Sequence, residues 1–450
     1  MNSNIRKRMA ALPGQMRRLR QASLPVAVVL AIMLAGSTLA AATRVRFRPQ
    51  VAYEMAGSEP KRIVAQDFDG DGHLDLAVTS YLGEENLTVL LGNGAGNFGD
   101  NQPFRPGITA WGLAAGYLNS DNVPDLVLTQ GGHDSTLVQI HAGNGDGTFS
   151  LLDTTTAGRF PVAVVIGDFN EDTYPDLAVA NNVLFGLSVI TGTAQGTFGA
   201  PSHMPNWANM QATDLAMGDF DGDNHLDLAV SHYNGVQTFL GAGDGTFSAG
   251  SAAGSNVLTE AVAAGDLNGD STLDLASIEI YGSRLLINLG TGAGAFAGAA
   301  IYTTGSFPRD VIFADMNMDG KQDIVVANQS NNNVAVYLGN GDGTLRSPQT
   351  FTTGTQPGAV SAGDWNEDGY PDLAAPYRNL GETPWVSILL QSCCDVTGDG
   401  QTTSADIAAV AQAVGDAWNG APYNGDLDMA PDGVLDVRDV MFVAAHLGSP

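Results

Sequence analysis

The sequence predicts an all-β, seven-bladed β-propeller closed by its own N-terminal strand, followed by a small α-helical, EF-hand-like C-terminal domain. Three observations predict it. An acidic loop recurs seven times, with its first position at Asp67, Tyr117, Asp168, Asp219, Asp266, Asp315 and Asp364 and spacings of 50, 51, 51, 47, 49 and 49 residues, a period in the range of propeller blades. Each unit then reads as four short strands without a helical period: an apolar run before the loop (Val162 to Gly167), a strand after it (Leu226 to Ser231), a third (Val334 to Leu338), and an extended stretch after a Gly-rich turn such as Gly145-Asp146-Gly147-Thr148-Phe149. The seventh unit runs out at Leu390-Gln391 without that turn, while Phe47 to Tyr53 matches Leu345 to Phe351. The N-terminal strand is therefore expected to complete the last blade, and radial repetition leaves only short protected edges.

Composition bounds the rest. The chain has 450 residues, 56 of them Gly without a collagen period, and a formal charge of −29. The first 42 residues hold six basic residues and no acidic ones, leaving 13 basic against 48 acidic, a balance of −35. That sign argues against nucleic acid or an anionic membrane as partner and suits cation binding. A basic stretch to Arg20, an apolar run from Pro25 to Gly36 and Ala40-Ala41-Ala42 read as a signal peptide over 1–42. The apolar run is short for a transmembrane helix, and no second one follows. A secreted or cell-surface protein without a transmembrane segment after cleavage is expected, with a propeller over 43–391 and a C-terminal module over 392–450. The two cysteines, Cys393 and Cys394, are adjacent and form no disulfide framework.

The loops carry the chemistry. Blade one offers Asp67, Asp69, Asp71 and Asp75 with the carbonyl of His73 at position 7; blade four repeats this with Asp219, Asp221, Asp223, Asp227 and His225. Blade three offers Asp168, Asn170, Asp172, Tyr174 and Asp176; blade five Asp266, Asn268, Asp270, Thr272 and Asp274. Blade six offers Asp315, Asn317, Asp319, Lys321 and Asp323; blade seven Asp364, Asn366, Asp368, Tyr370 and Asp372. In blade two Tyr117 replaces the first carboxylate, leaving Asn119, Asp121 and Asp125, a loop expected to be weak or empty. Asp and Asn form turns anyway, but oxygens at identical offsets, clustered without a counter-ion, point to a metal. All-oxygen flexible loops favour calcium over magnesium, in a structural role.

The acidic loop, the Leu-Asp-Leu-Ala-Val-type strand and the Gly-Asp-Gly-Thr-Phe turn together resemble FG-GAP/VCBS repeats, the blades of integrin α-like propellers, over residues 44–391. The resemblance implies calcium in the loops and an adhesion, lectin-like or scaffold role; some such propellers belong to polysaccharide lyases.

Six residues before each loop the blades differ: Lys61, Trp111, Val162, Thr213, Glu260, Arg309 and Gly358. Two residues later all seven are apolar, from Ile63 to Val360. The regular row reads as packing and the irregular one as a channel rim, where Lys61, Trp111, Glu260 and Arg309 could hold a sugar or a peptide.

After Cys394 the pattern changes. Asp395, Thr397, Asp399, Gln401 and Asp406 occupy positions 1, 3, 5, 7 and 12 of a loop followed by a helical run from Ser404 to Val414. Asp428, Asp432, Val434 and Asp439 form a second copy with Ala430 at position 3, a weaker site. The pair resembles a type I dockerin, which implies calcium and a cohesin-type protein partner; a calcium-stabilised end cap is the alternative. No Ser nucleophile elbow, metal-hydrolase His motif or Walker loop occurs. The sequence thus points to a secreted calcium-binding protein that binds or displays, through adhesion, glycan recognition or scaffold assembly, with a glycan or extracellular protein on the propeller face. The alternative is a polysaccharide-active lyase or hydrolase.

Overall fold

The computed structural model describes residues 45–391, except 100, 205–206, 208–209, 255–256 and 380–382, together with 408–410. The signal segment, Cys393 and Cys394, and the C-terminal loop positions from Asp395 to Asp439 lie outside the described residues. Residues 408–410, within the run read as helical, are helical. Among the described residues no helix is long and apolar enough to cross a membrane.

Seven four-stranded antiparallel sheets make up the unit Arg44–Ser392. Their innermost strands are Ser58–Gln66, Ala110–Gly116, Arg159–Gly167, Ala212–Gly218, Thr259–Gly265, Pro308–Ala314 and Ser361–Gly363. The second strand of every blade begins on the last loop carboxylate, as in Asp75–Leu82 and Asp323–Asn328. These strands read as continuous apolar runs because both of their faces are core. Leu76 and Val78 pack toward blade seven with Trp365 and Ile388, whereas Ala77 packs toward blade two with Leu113 and Leu126. Apolar burial between neighbouring blades, rather than one central core, is what holds the ring.

The ring closes as the sequence predicts. Val51–Glu54 is the outer strand of the last sheet, antiparallel to Trp385–Leu389 with Val51 opposite Ile388 and Tyr53 opposite Val386. Phe47 meets Phe351 of blade six edge-on at 4.7 Å and Tyr53 meets Phe98 of blade one at 5.3 Å. The N-terminal strand is thus wedged between its neighbours by aromatic contacts as well as by backbone pairing.

Candidate functional site

Each acidic loop joins an innermost strand to the second strand, so the loops sit at one end of the innermost strands and the rim residues at the other. The last loop carboxylate is the fixed part. Asp75, Asp125, Asp176, Asp227, Asp274, Asp323 and Asp372 are all fully buried. Each accepts two backbone N–H groups. Asp75 takes Phe68 N at 2.7 Å and Gly92 N at 2.7 Å, and Asp125 takes Leu118 N at 2.8 Å and Gly143 N at 3.0 Å. This ties the loop to the end of the third strand in every blade, including blade two. Burial pushes these carboxyls upward, to about 6 in Asp75 and Asp227, about 7 in Asp323 and about 8 in Asp372.

The remaining ligand positions divide the loops into two kinds. In blade one, oxygens of Asp67, Asp69 and Asp71 lie within 4.8 Å of one another, and in blade four those of Asp219, Asp221 and Asp227 do. Oxygens on one calcium ion, each about 2.3–2.6 Å from it, are at most about 5 Å apart, so both sets fit that ion. Burial and the neighbouring carboxylates raise Asp69 and Asp221, opposed by hydrogen bonds from the loop backbone. Blades three, five, six and seven carry Asn in the third position. Its Nδ2 donates to the fifth-position carboxylate, from Asn170 to Asp172 at 3.0 Å, Asn268 to Asp270 at 3.0 Å, Asn317 to Asp319 at 3.2 Å and Asn366 to Asp368 at 3.0 Å. Those four loops offset part of their own charge. In blade two Asn119 Nδ2 turns to Asp125 at 3.4 Å, and Tyr117 accepts a bond from Gln66 instead of capping the loop.

The loops also join blades. Gly147 N donates to Phe68 O at 3.2 Å and Gly245 N to Phe169 O at 2.8 Å, docking each Gly-rich turn on the loop of the preceding blade. Gly147 has φ +77° and lies against Leu91, so a Cβ there would be strained and crowded. The two seventh-position histidines are more than carbonyl donors. His73 Nδ1 meets Glu367 Oε1 at 2.5 Å and His225 meets Glu171, in each case a fourth-position Glu of the preceding blade. These hydrogen bonds raise both imidazoles.

At the opposite end the irregular row converges. Lys61, Trp111, Val162, Thr213, Glu260, Arg309 and Gly358 all line one cavity of about 230 Å³. A β-bulge brings six of them there. Pro60 faces Ser80 and Arg62 faces Thr79, which leaves Lys61 unopposed, and the same one-residue excess falls on Val162, Thr213, Glu260 and Arg309. In blade two it falls on Trp111-Gly112, opposite Thr129 alone. A bulge frees a residue from the ladder and re-aims it, here into the channel mouth. Just ahead of the bulge, non-glycine residues take left-handed backbone in five blades: Glu59, Phe160, Gln211, Phe307 and Gln356, with φ between 52° and 59°. Such conformations cost about 1–2 kcal/mol per residue and persist where surrounding contacts fix them.

The mouth is a charged, aromatic-walled pocket. Lys61 Nζ lies 4.2 Å from the Trp111 ring centroid and 5.5 Å from that of Tyr81. Trp111 packs edge-on against Tyr81 at 4.9 Å and Phe160 at 5.0 Å. Its ring is therefore a wall that holds the ammonium rather than an open stacking platform. Arg309 reaches Glu260 at 2.6 Å and Gln329 at 3.0 Å.

Below the mouth lies a feature absent from the sequence reading. Arg62 Nη2 donates to Asp214 Oδ1 at 2.7 Å, and Nη1 is 4.0 Å from Asp310 Oδ1, so blade one is linked across the channel to blades four and six. Asp214 also accepts from Val262 N at 3.3 Å, on the innermost strand of the next blade, and Asp310 from Val360 N at 2.9 Å, just ahead of that strand in the next blade. Burial raises both carboxyls, Asp310 to about 6, and the guanidinium opposes the rise. The signal lay between the two rows already singled out. That position holds Gly112, Ala163, Ala261 and Ala359 in four blades and a charge in the other three.

Residues 67–128, 118–179, 219–277, 266–326 and 315–375 match the family model described as FG-GAP-like repeat. No curated protein matches the chain. Two crystal structures of BBS1N in complex with ARL6DN are similar. The one soaked with mercury is 13% identical, covers 78% of this chain and 98% of that one, and has a TM-score of 0.52. The one soaked with lead is 12% identical, covers 77% and 98%, and has a TM-score of 0.54. These likenesses extend to the fold and no further. An Agrocybe aegerita lectin structure, titled for recognition of non-reducing terminal N-acetylglucosamine, is 18% identical over 78% of this chain and 96% of that one, with a TM-score of 0.44.

Proposed function

The chain belongs to the FG-GAP-like repeat family, and from that premise we propose that it is a secreted, calcium-stabilised binding module whose channel mouth recognises a glycan. One observation carries the reading. The seven residues at which the blades differ line a single cavity, six of them bulged out of their strands, above a charged cross-link that spans the channel beneath them. A fold that needed only stability has no use for that asymmetry, whereas a ligand at the centre of a ring touches every blade at once. Polar groups beside aromatic walls suit a hydroxylated ligand.

Calcium has a supporting part in this proposal. Asp67, Asp69 and Asp71 in blade one and Asp219, Asp221 and Asp227 in blade four would hold it, and the ion would supply positive charge where carboxylates crowd. The Asn-bearing loops, needing less charge compensation, would bind more weakly. The C-terminal module would dock a cohesin-type protein partner, so that the propeller is displayed on an extracellular assembly. A pull-down with and without calcium tests that arm.

The experiment for the mouth is a glycan array probed with the full chain in calcium, paired with reducing-sugar and unsaturated-product assays on every saccharide bound. Binding without turnover is expected, and it should be lost on substituting Lys61 and Arg309 together. Turnover of any polysaccharide would replace this reading with a polysaccharide-active enzyme. Full retention of binding by the double variant would move the site off the channel mouth.

A further inference from the structure

Resting on the glycan reading, we propose that the mouth selects an acidic sugar at the end of a saccharide chain, with Lys61 receiving its carboxylate. The chain carries 48 acidic against 19 basic residues, yet the charged lining of this cavity is Lys61, Arg62 and Arg309 against Glu260 alone. Among the lining side chains cations outnumber carboxylates three to one, and Glu59, Asp214 and Asp310 stand just behind them.

The three cations are not equally engaged. Arg62 is turned down the channel to Asp214 and Asp310. Arg309 spends Nη1 on Glu260 and Nε on Gln329, two of the five N–H donors of a guanidinium. The carboxylate beside Lys61 is Glu59, and at 3.7 Å it stands at the long end of an ion pair. Burial depresses the Lys61 ammonium; Glu59 opposes the fall, the charge of Arg309 adds to it, and Glu260 again opposes it. The mouth therefore holds an ammonium set over the rings of Trp111 and Tyr81, with its partner Glu59 shared with Arg378 at 2.9 Å, a site that an incoming carboxylate completes with a charge-assisted hydrogen bond.

Size and closure choose the end of a chain over its middle. The cavity, about 230 Å³, is below the roughly 300 Å³ at which drug-sized sites begin, which suits one sugar ring. Arg62 lines both the mouth and the channel below it, and its link to Asp214 and Asp310 bars a polymer from threading through. Gln329 on the wall offers an amide partner to ring hydroxyls, and Phe160 supplies an apolar side.

Calorimetric titration of the full chain tests this with three probes: an oligosaccharide ending in glucuronate, the same oligosaccharide ending in glucose, and one carrying glucuronate only internally. The first should bind at least about tenfold more tightly than the other two, the scale of one charge-assisted contact. The margin should shrink as salt is raised. Lys61→Met should erase it and Lys61→Arg should keep it, with a thermal melt checking that both variants fold. The three wild-type titrations decide the matter without any variant. Equal affinity for the glucose-ended probe overturns the acidic selectivity and leaves the glycan reading standing. Equal affinity for the internal glucuronate overturns the end-recognition. Binding of a peptide with a free C-terminal carboxylate, with no saccharide bound, overturns both this inference and the reading it rests on.

Discussion

Replacing Arg62 with Met should destabilise the propeller in a pH-dependent way. Met keeps much of the side-chain length and removes the charge, leaving the Asp214 and Asp310 carboxylates facing each other across the channel with backbone donors such as Val262 N, Val311 N and Val360 N. Stranding a buried charge costs about 3–5 kcal/mol. That is an upper limit here, because the side chains of Arg62, Asp214 and Asp310 keep 21%, 11% and 12% of their surface open to the channel. A working figure is about 2–4 kcal/mol. For a unit of about 350 residues at about 2.1 cal/mol/K per residue, the unfolding entropy is about 0.7 kcal/mol/K, so the melting temperature should fall by about 3–6 °C.

The sign with pH follows from protonation. Burial already pushes the Asp310 carboxyl up to about 6, and losing the guanidinium raises it further. A carboxyl whose pKa is higher folded than unfolded destabilises the fold progressively as pH rises from the unfolded value through the folded one. The gap between wild type and Arg62→Met should therefore be full at pH 8 and narrow markedly by pH 5. Adding Asp214→Asn and Asp310→Asn should restore most of the loss at pH 8. Calorimetry or circular dichroism in excess chelator, so that loop ions do not contribute, measures all three proteins. A variant that melts with wild type at pH 8, or a gap that does not narrow on acidification, would refute the account of the cross-link.

Three other outcomes are expected. Chelation should lower the melting temperature, by the equivalent of about 2.7 kcal/mol if calcium stood at a hundredfold its dissociation constant; Asp69→Asn should remove one of the tighter sites by calorimetric titration, and Asn119→Ala should change the stoichiometry not at all. Asp125→Asn, in the blade with the defective loop, should cost about 1–3 kcal/mol even in chelator, because one of the two backbone donors it accepts would face an amide N–H instead; equal stability would show that the seven buried carboxylates matter only through a metal. Deleting residues 43–56 should sharply lower the melting temperature and promote association, since it opens the Trp385–Leu389 edge, which size-exclusion chromatography would detect.

The fold was legible because its information is repeated and local. The loop pattern, the Gly-rich turn and the likeness of Phe47 to Tyr53 with the end of blade six each name their structural role in the sequence. The rim was legible by its irregularity, since seven homologous positions with seven different residues stand out against an apolar row. What was not legible depends on which atoms meet. Asp and Asn at the third loop position both offer an oxygen on paper, and only the structure turns the Asn amide nitrogen toward the fifth-position carboxylate. The partner of His73 is 294 residues away, across the closure of the ring. Arg62, Asp214 and Asp310 sit in one register on three blades that are not all neighbours, so no local pattern connects them.

The cross-link also explains why the mouth is asymmetric in a lasting way. In a symmetric ring the position below the rim could not be charged, because seven like charges at one radius would repel. Gly112, Ala163, Ala261 and Ala359 leave the space, and one Arg from blade one fills it by reaching two Asp from blades four and six. Both carboxylates in turn hold the following blade, at Val262 within its innermost strand and at Val360 just ahead of it. Blades one, four, five, six and seven are thereby fixed relative to one another just beneath the residues that face a ligand. Preorganisation of this kind reduces what binding must spend on ordering the site. It follows that weakening the cross-link should loosen the mouth before it unfolds the ring: Arg62→Met should lose affinity for the acidic saccharide at temperatures well below its melting transition.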